Sequence, residues 1–229
     1  LMVVSASISA AAECPEGTSP AGEPPPAGDA VWCQHAEPDG SVVKDGPATH
    51  YHSNGSTKAE GVYLHGERHG IWRLYHDNGR KKAEGEYATG KRQNGWLSWY
   101  KTGGQEAVGD YLNDQKHGRW NYWHANGEKW FEGDYSVGKA SGNWTYWHTN
   151  GAIDATGRFI NGAKYGKWTH HYDSGKVKTE GGYSTGARDG LWTYWRPDGT
   201  VERSGMYRAG RQLGTWTWDY PNGRPQRVA

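Results

Sequence analysis

The chain has 229 residues, with 26 Lys and Arg against 25 Asp and Glu, giving a net charge of +1. That balance removes the electrostatic ground for nucleic-acid or acidic-membrane binding. Its apolar surface sits on 14 Trp and 15 Tyr, so the low aliphatic content does not signal disorder as it ordinarily would.

Leu1 to Ala12 is apolar, rich in small residues and ends Ser-Ala-Ala-Ala. It reads as the remnant of a secretory signal peptide without its charged first region, and predicts an extracytoplasmic protein, periplasmic or secreted. No stretch reaches the roughly 18 apolar residues of a membrane span. Behind an export signal, the pair Cys14 and Cys33 predicts a disulfide. A closed loop of that size stabilises by about 3 kcal/mol. The spacing is not Cys-x-x-Cys, so no metal pair is expected.

Residues 13–45 hold Pro15, Pro20, Pro24, Pro25 and Pro26. They read as an irregular, partly polyproline II cap, closed by the disulfide and covering the first strand edge. Asp39-Gly40 predicts one hairpin turn before the regular array.

From residue 46 to 229 the chain repeats every 24 residues. Units start at Gly46, Gly70, Asn94, Gly118, Gly142, Gly166, Gly190 and Gly214, the eighth being partial. Position within a unit is given below as an offset from these starts. A fixed period of this length means a solenoid or array whose units pack mainly on their neighbours.

Two turn signals recur in each unit. Asn-Gly or a relative stands at offsets 8 and 9, as in Asn54-Gly55, Asn78-Gly79 and Asn126-Gly127, and predicts a two-residue type I′ hairpin turn. The second turn centres on Gly66, Gly90, Asp114, Gly138, Gly162, Gly186 and Gly210. Each unit is therefore two strands, and no segment has helical periodicity. A two-residue turn sets opposite each other the offsets that sum to 17: Trp72 with Gly85, Trp120 with Gly133, Trp192 with Gly205, Gly70 with Tyr87, and Gly142 with Phe159. The glycines leave each ring room to lie across the neighbouring backbone.

Strand parity separates two faces. The offset-2 column of Trp72, Trp96, Trp120, Trp144, Trp168, Trp192 and Trp216 falls with the Tyr column and small residues such as Ala59, Ala83, Ala107 and Ala155. This is the expected packed face. The offset-5 row carries Tyr75, Trp99, Trp123, Trp147 and Trp195, with His171 in the sixth unit. It falls on the other face, opposite mostly charged residues including Lys82, Glu106, Asp154, Lys178 and Glu202.

The recurring string Gly-x-Tyr-x-x-Gly-x-x-x-Gly-x-Trp-x-x-aromatic-x-x-Asn-Gly is clear from Gly85 to Gly103 and from Gly181 to Gly199. Asn94 and Asp114 replace Gly in two columns. The pattern resembles the MORN repeat, in the bacterial variant form also found in the YwqK antitoxin family. The resemblance implies tandem β-hairpins forming an elongated, all-β, single-layer antiparallel sheet. It also implies scaffolding or protein binding, with lipid binding in some members, and no enzymatic activity.

The residues themselves give no catalytic set. Offset 6 carries His52, His76, His124 and His148, but equivalent positions lie two strands apart, about 9–10 Å, too far to share one zinc ion. They are expected as ordinary half-buried histidines. Glu60, Glu84, Glu132 and Glu180 are copies of one solvated position, whereas acid–base pairs need unlike environments. The single-copy pair His170-His171 reads as drift in the repeat. No cofactor or metal is expected.

The offset-5 rings are the candidate binding residues, since flat aromatic faces at regular spacing suit a partner's side chains or sugar rings. The competing reading is intramolecular, with the rings covering the sheet beside Lys82 or Lys178 in cation–π contact. The function expected is a non-enzymatic, exported, protein-binding scaffold. A polysaccharide-binding module of the cell envelope and a YwqK-like antitoxin are the alternatives. Neither nucleic acid nor membrane lipid is an expected partner.

Overall fold

The structure, a computed structural model, describes residues 13–220, 222 and 224–228. The signal-like segment Leu1 to Ala12 lies outside the described residues. The chain divides into two compact units, Leu1–Gly103 and Gly104–Ala229. All regular structure among the described residues is β.

The first unit holds β1 (Ser19–Glu23), β2 (Ala30–Ala36), β3 (Val42–Tyr51), β4 (Thr57–Leu64), β5 (Glu67–Tyr75), β6 (Lys81–Ala88) and β7 (Lys91–Trp99). Within it each strand pairs antiparallel with the next. The second unit holds β8 (Gln105–Leu112), β9 (Gln115–Trp123), β10 (Lys129–Ser136), β11 (Lys139–Trp147), β12 (Ile153–Ile160), β13 (Ala163–His171), β14 (Val177–Ser184), β15 (Ala187–Trp195), β16 (Val201–Arg208), β17 (Arg211–Asp219) and β18 (Pro225–Val228). These too pair antiparallel in sequence order.

The predicted register is the observed one. Trp72 pairs with Gly85 and Gly70 with Tyr87, Trp120 with Gly133, Gly142 with Phe159, and Trp192 with Gly205. The turn that was to set this register is a different one. At the Asn78-Gly79 turn, His76 N–H donates to the Arg80 carbonyl and Gly79 N–H to the His76 carbonyl. Gly79 has φ of 80° while Asn78 has none of the positive φ a type I′ turn needs. This is a three-residue loop, a type I turn closed by one left-handed residue. A bulge one pair later, between Leu74 and Tyr75, shifts the register back by one. Loop and bulge together therefore give the pairing that a two-residue turn gives alone.

The type I′ turns lie at the other end of the hairpins. His65-Gly66 has φ of 48° and 82°, and the strands close directly on it as Leu64 pairs with Glu67. Asn113-Asp114, with φ of 50° and 67°, does the same without glycine, as Asn and Asp tolerate the left-handed region.

Residues 13–45 are not the irregular cap that their prolines predict. β1 and β2 form a hairpin whose second strand pairs with β3, and Cys14 is disulfide-bonded to Cys33. The first strand edge is covered by pairing rather than by an irregular segment. In the first repeat the ring and the small residue change places: Ala48 stands at the Trp position, and its partner Trp32 supplies the indole.

The packed face is built from the offset-2 Trp residues, all seven at most 6% exposed. Trp72, Trp120, Trp144, Trp168 and Trp192 are each crossed edge-on by the Tyr or Phe of offset 17 on both sides. In the first unit the run is Tyr63, Trp72, Tyr87, Trp96, with centroids 5.1 to 6.2 Å apart. In the second unit the same pattern runs through Tyr135, Trp144, Phe159, Trp168 and Tyr183. Edge-to-face packing brings the positive ring edge to the negative ring face. It lets one layer of sheet bury large rings without a second layer.

The offset-6 side chains have a role that the repeat period alone conceals. Nε2 of His52 donates to the Tyr75 carbonyl at 3.0 Å, and Nε2 of His76 to the Trp99 carbonyl at 2.9 Å. In the second unit His124 reaches Trp147, His148 reaches His171, and the Tyr172 hydroxyl reaches Trp195. The turn asparagines repeat the device, since Nδ2 of Asn54 donates to the Asp77 carbonyl and Nδ2 of Asn126 to the Thr149 carbonyl. Within each unit these turns are thus fastened to the next one, 23 residues on. These histidines are stitches between repeats, not merely half-buried rings.

Candidate functional site

The candidate rings stand on the face opposite the Trp column. On β15, Trp192 and Tyr194 are buried in the column face, while Leu191, Thr193 and Trp195 alternate to the other side. Tyr75, Trp99, Trp123, Trp147 and Trp195 are all half-buried. They recur once per hairpin pair, in the first unit at Tyr75 and Trp99 and in the second at Trp123, Trp147 and Trp195.

Their cross-strand neighbours differ from the sequence expectation. The bulge after each Asn-Gly turn places offset 11, not offset 12, opposite offset 5. Tyr75 pairs with Lys81, Trp123 with Lys129, Trp147 with Ile153 and Trp195 with Val201. The cations near the rings are accordingly Lys81, with Nζ 5.3 Å from the Trp99 centroid, and Lys129, 5.3 Å from that of Trp147. Lys82, Asp154 and Lys178 sit at the bulge, where Asp154 approaches His148 and Lys178 approaches Tyr172.

Ion pairs surround the rings. Glu84 takes Arg73 at 2.8 Å and Lys81 at 3.0 Å, Glu132 takes Arg119 and Lys129, and Glu180 takes Lys167 at 2.9 Å. The hydrogen bond from Lys81 holds the Glu84 carboxyl below its usual range, with Arg73 adding to the effect. Burial raises the Glu132 carboxyl, but the bond from Lys129 and the charge of Arg119 outweigh it and leave it lowered. The Tyr75 hydroxyl donates to Glu60 at 2.6 Å; burial, then that bond, pushes the phenol up to about 12. The repeated glutamates are ion-paired or hydrogen-bonded members of a charged surface.

In the second unit the same face exposes apolar side chains that the sequence analysis passed over. Leu191 is 59% exposed, Met206 43% and Leu213 48%, and they are paired in register across β15, β16 and β17. The signal was present as apolar residues at outward-facing offsets of consecutive strands. Further along this face a shallow groove is lined by Asn143, Arg158 and Lys167 and by a hydroxyl row of Thr145, Thr156 and Thr169 in register. Among the described residues no group of three His, Cys, Asp or Glu side chains is placed to hold a metal.

Residues 44–65 and 68–88 match the family model of the MORN repeat variant. These two stretches are thus similar to MORN-type repeats. The two matched stretches are one hairpin turn apart and fall on β3–β4 and β5–β6, so each MORN match is one hairpin of the array. No curated protein matches the chain. The MORN column residues Gly61, Trp72, Gly85 and Tyr87 are those that build the packed face.

Proposed function

We propose that this repeat array is a non-catalytic, exported scaffold that binds a protein partner through its offset-5 rings, Tyr75 and Trp99 in the first unit and Trp123, Trp147 and Trp195 in the second. The observation that carries the reading is the contrast between the two aromatic columns. One is buried in the packing; the other is half-exposed beside solvent-facing Leu191, Met206 and Leu213. Aromatic anchors with aliphatic neighbours and a rim of charged groups make up the anatomy of a protein interface. A partner spanning several hairpins gains affinity from each, so single substitutions have small effects and combined ones large effects. The Cys14–Cys33 disulfide supports an oxidising compartment, in keeping with export.

The test compares two baits, the parent from Glu13 onward and one carrying Trp99→Ala, Trp123→Ala and Trp147→Ala. Both are shown folded by circular dichroism and exposed to envelope extract of the source cells. A discrete protein retained by the parent and lost by the triple variant supports the reading. Equal retention by both baits removes these rings from the site. Retention of glycan alone, abolished by loss of the three indoles, replaces the protein partner at these rings with a polysaccharide.

A further inference from the structure

The packed face carries a second recurring feature, a cation at offset 22 laid over the rings. Nζ of Lys44 is 4.2 Å from the Trp32 centroid, and the Arg68 guanidinium 4.3 Å from that of Trp72. In the second unit Nζ of Lys164 lies 3.9 Å over Trp168, and the Arg188 guanidinium 4.5 Å over Trp192. Each also lies over the half-buried Tyr of the next strand, Lys164 over Tyr183 at 5.1 Å and Arg188 over Tyr207 at 5.3 Å. The result is a row in which cations and tyrosines alternate from strand to strand.

The charge on this row is not compensated as it is on the opposite face. There Arg73, Arg119 and Lys167 are each within ion-pair distance of a glutamate. Among the described residues no carboxylate lies within ion-pair distance of Lys164 or Arg188. Arg188 donates to the hydroxyls of Tyr194 and Tyr207 at 3.0 and 3.1 Å, both through Nη1; burial works against its charge, but bonds with Tyr183 and Tyr207 outweigh it and keep the guanidinium charged, with some of its five donors still unspent. Lys164 is held below the usual lysine range by burial, then by the neighbouring charge of Arg188, against a weaker opposing pull from Asp154. Two half-buried cations on either side of Tyr183, neither with a carboxylate partner among the described residues, form a site that an anion would complete. The balanced net charge of the chain hides this segregation by face.

We propose that the row Lys164–Tyr183–Arg188–Tyr207 binds a linear acidic polysaccharide along the packed face. A uronic-acid chain offers ring C–H faces and carboxylates in alternation, which complements tyrosines and cations in alternation. Single-stranded nucleic acid is disfavoured because its bases need exposed stacking platforms, and the indoles here are buried under the cations. A membrane is disfavoured because the exposed aliphatic residues Leu191, Met206 and Leu213 lie on the other face. The proposed site and the proposed protein-binding rings are on opposite faces, so either can fail without the other.

The experiment is titration of the chain from Glu13 onward with polygalacturonate at low and at high salt. Dextran, oligothymidylate, polyglutamate and phosphatidylserine vesicles are run in parallel. Saturable polygalacturonate binding that weakens with salt is expected. The double variant Lys164→Gln, Arg188→Gln should lose roughly tenfold in affinity at low salt, and Lys164→Arg, Arg188→Lys should keep it. Arg119→Gln with Lys167→Gln, on the opposite face, should bind as the parent does. Circular dichroism showing parent-like folding of the double variant assigns its loss to the site. Absence of saturable binding, equal binding by the folded double variant, or preference for any of the four other probes overturns the proposal.

Discussion

The indole of Trp72 lies on the backbone of Gly61, in the hairpin before its own, although the Cα partner of Trp72 on its other side is Gly85. A Cβ on Gly61 would fall inside that ring, and Gly85 in turn carries the ring of Trp96. Trp72 Nε1 donates to the Val62 carbonyl at 3.0 Å, beside a bulge between Glu60 and Val62. Trp168 repeats the arrangement on Gly157 and the Arg158 carbonyl. Each indole therefore joins two hairpins, and the glycine column exists to let it do so.

Gly157→Ala should consequently destabilise by about 3 kcal/mol, through overpacking against an indole that has nowhere to move. Gly166→Ala should cost only about 1 kcal/mol: its φ is 68°, but the space beside it is open, so the penalty is that of the left-handed backbone alone. Urea denaturation of the two variants measures the difference. Equal losses would mean that the ring is not fixed on the glycine.

The stitches between turns make a local prediction. His76→Ala removes the bond to the Trp99 carbonyl and should cost about 1 kcal/mol, with faster amide exchange concentrated in the turn residues 76–80 and 100–103. Hydrogen-exchange mass spectrometry reads this directly. Uniform exchange across the first unit would show that the bond is not a link between neighbouring turns.

Acid should act through Glu84 and Glu132, whose folded carboxyls lie below their usual range. For a lowered group the stabilisation is complete above the unfolded value of about 4.3 and is lost as pH falls through the folded value. Glu84→Gln with Glu132→Gln should lower stability at neutral pH and flatten the decline below about pH 4.3. Denaturation midpoints across pH test this. A decline as steep as in the parent would assign acid sensitivity to other groups.

Reducing the Cys14–Cys33 disulfide should lower stability by about 3 kcal/mol on the loop-closure argument. The loss should appear first as exchange in β1 and β2. Loss of structure in β5–β7 before β1–β2 would contradict the assignment of this disulfide to the first hairpin.

Much of the fold was legible because one period carries it. The sum rule for paired offsets gave Trp72–Gly85 and Gly142–Phe159 from spacing alone. The turn type was not legible, because Asn-Gly suits both a type I′ turn and a three-residue loop. At Asn78-Gly79 the added loop residue is cancelled by the bulge at Leu74–Tyr75. That bulge also decides that Lys81 rather than Lys82 faces Tyr75, a difference of parity invisible in an alternating pattern. Nor could Cα register show that the Trp72 ring turns back toward Gly61, since side-chain direction is not part of register. The cations at offset 22 were visible as a column 24 residues apart, but a net charge near zero drew attention away from their face.

The central claim is that the two aromatic columns do different work, offset 2 packing the repeats and offset 5 meeting a partner. The most direct measurement is equilibrium denaturation of Trp168→Ala beside Trp147→Ala. The account predicts a loss of about 4 kcal/mol for Trp168, a fully buried large-to-small change. For half-exposed Trp147 it predicts a loss of no more than about 1.5 kcal/mol, in line with partial burial. Comparable losses at the two positions would show that both columns are structural and would contradict the claim.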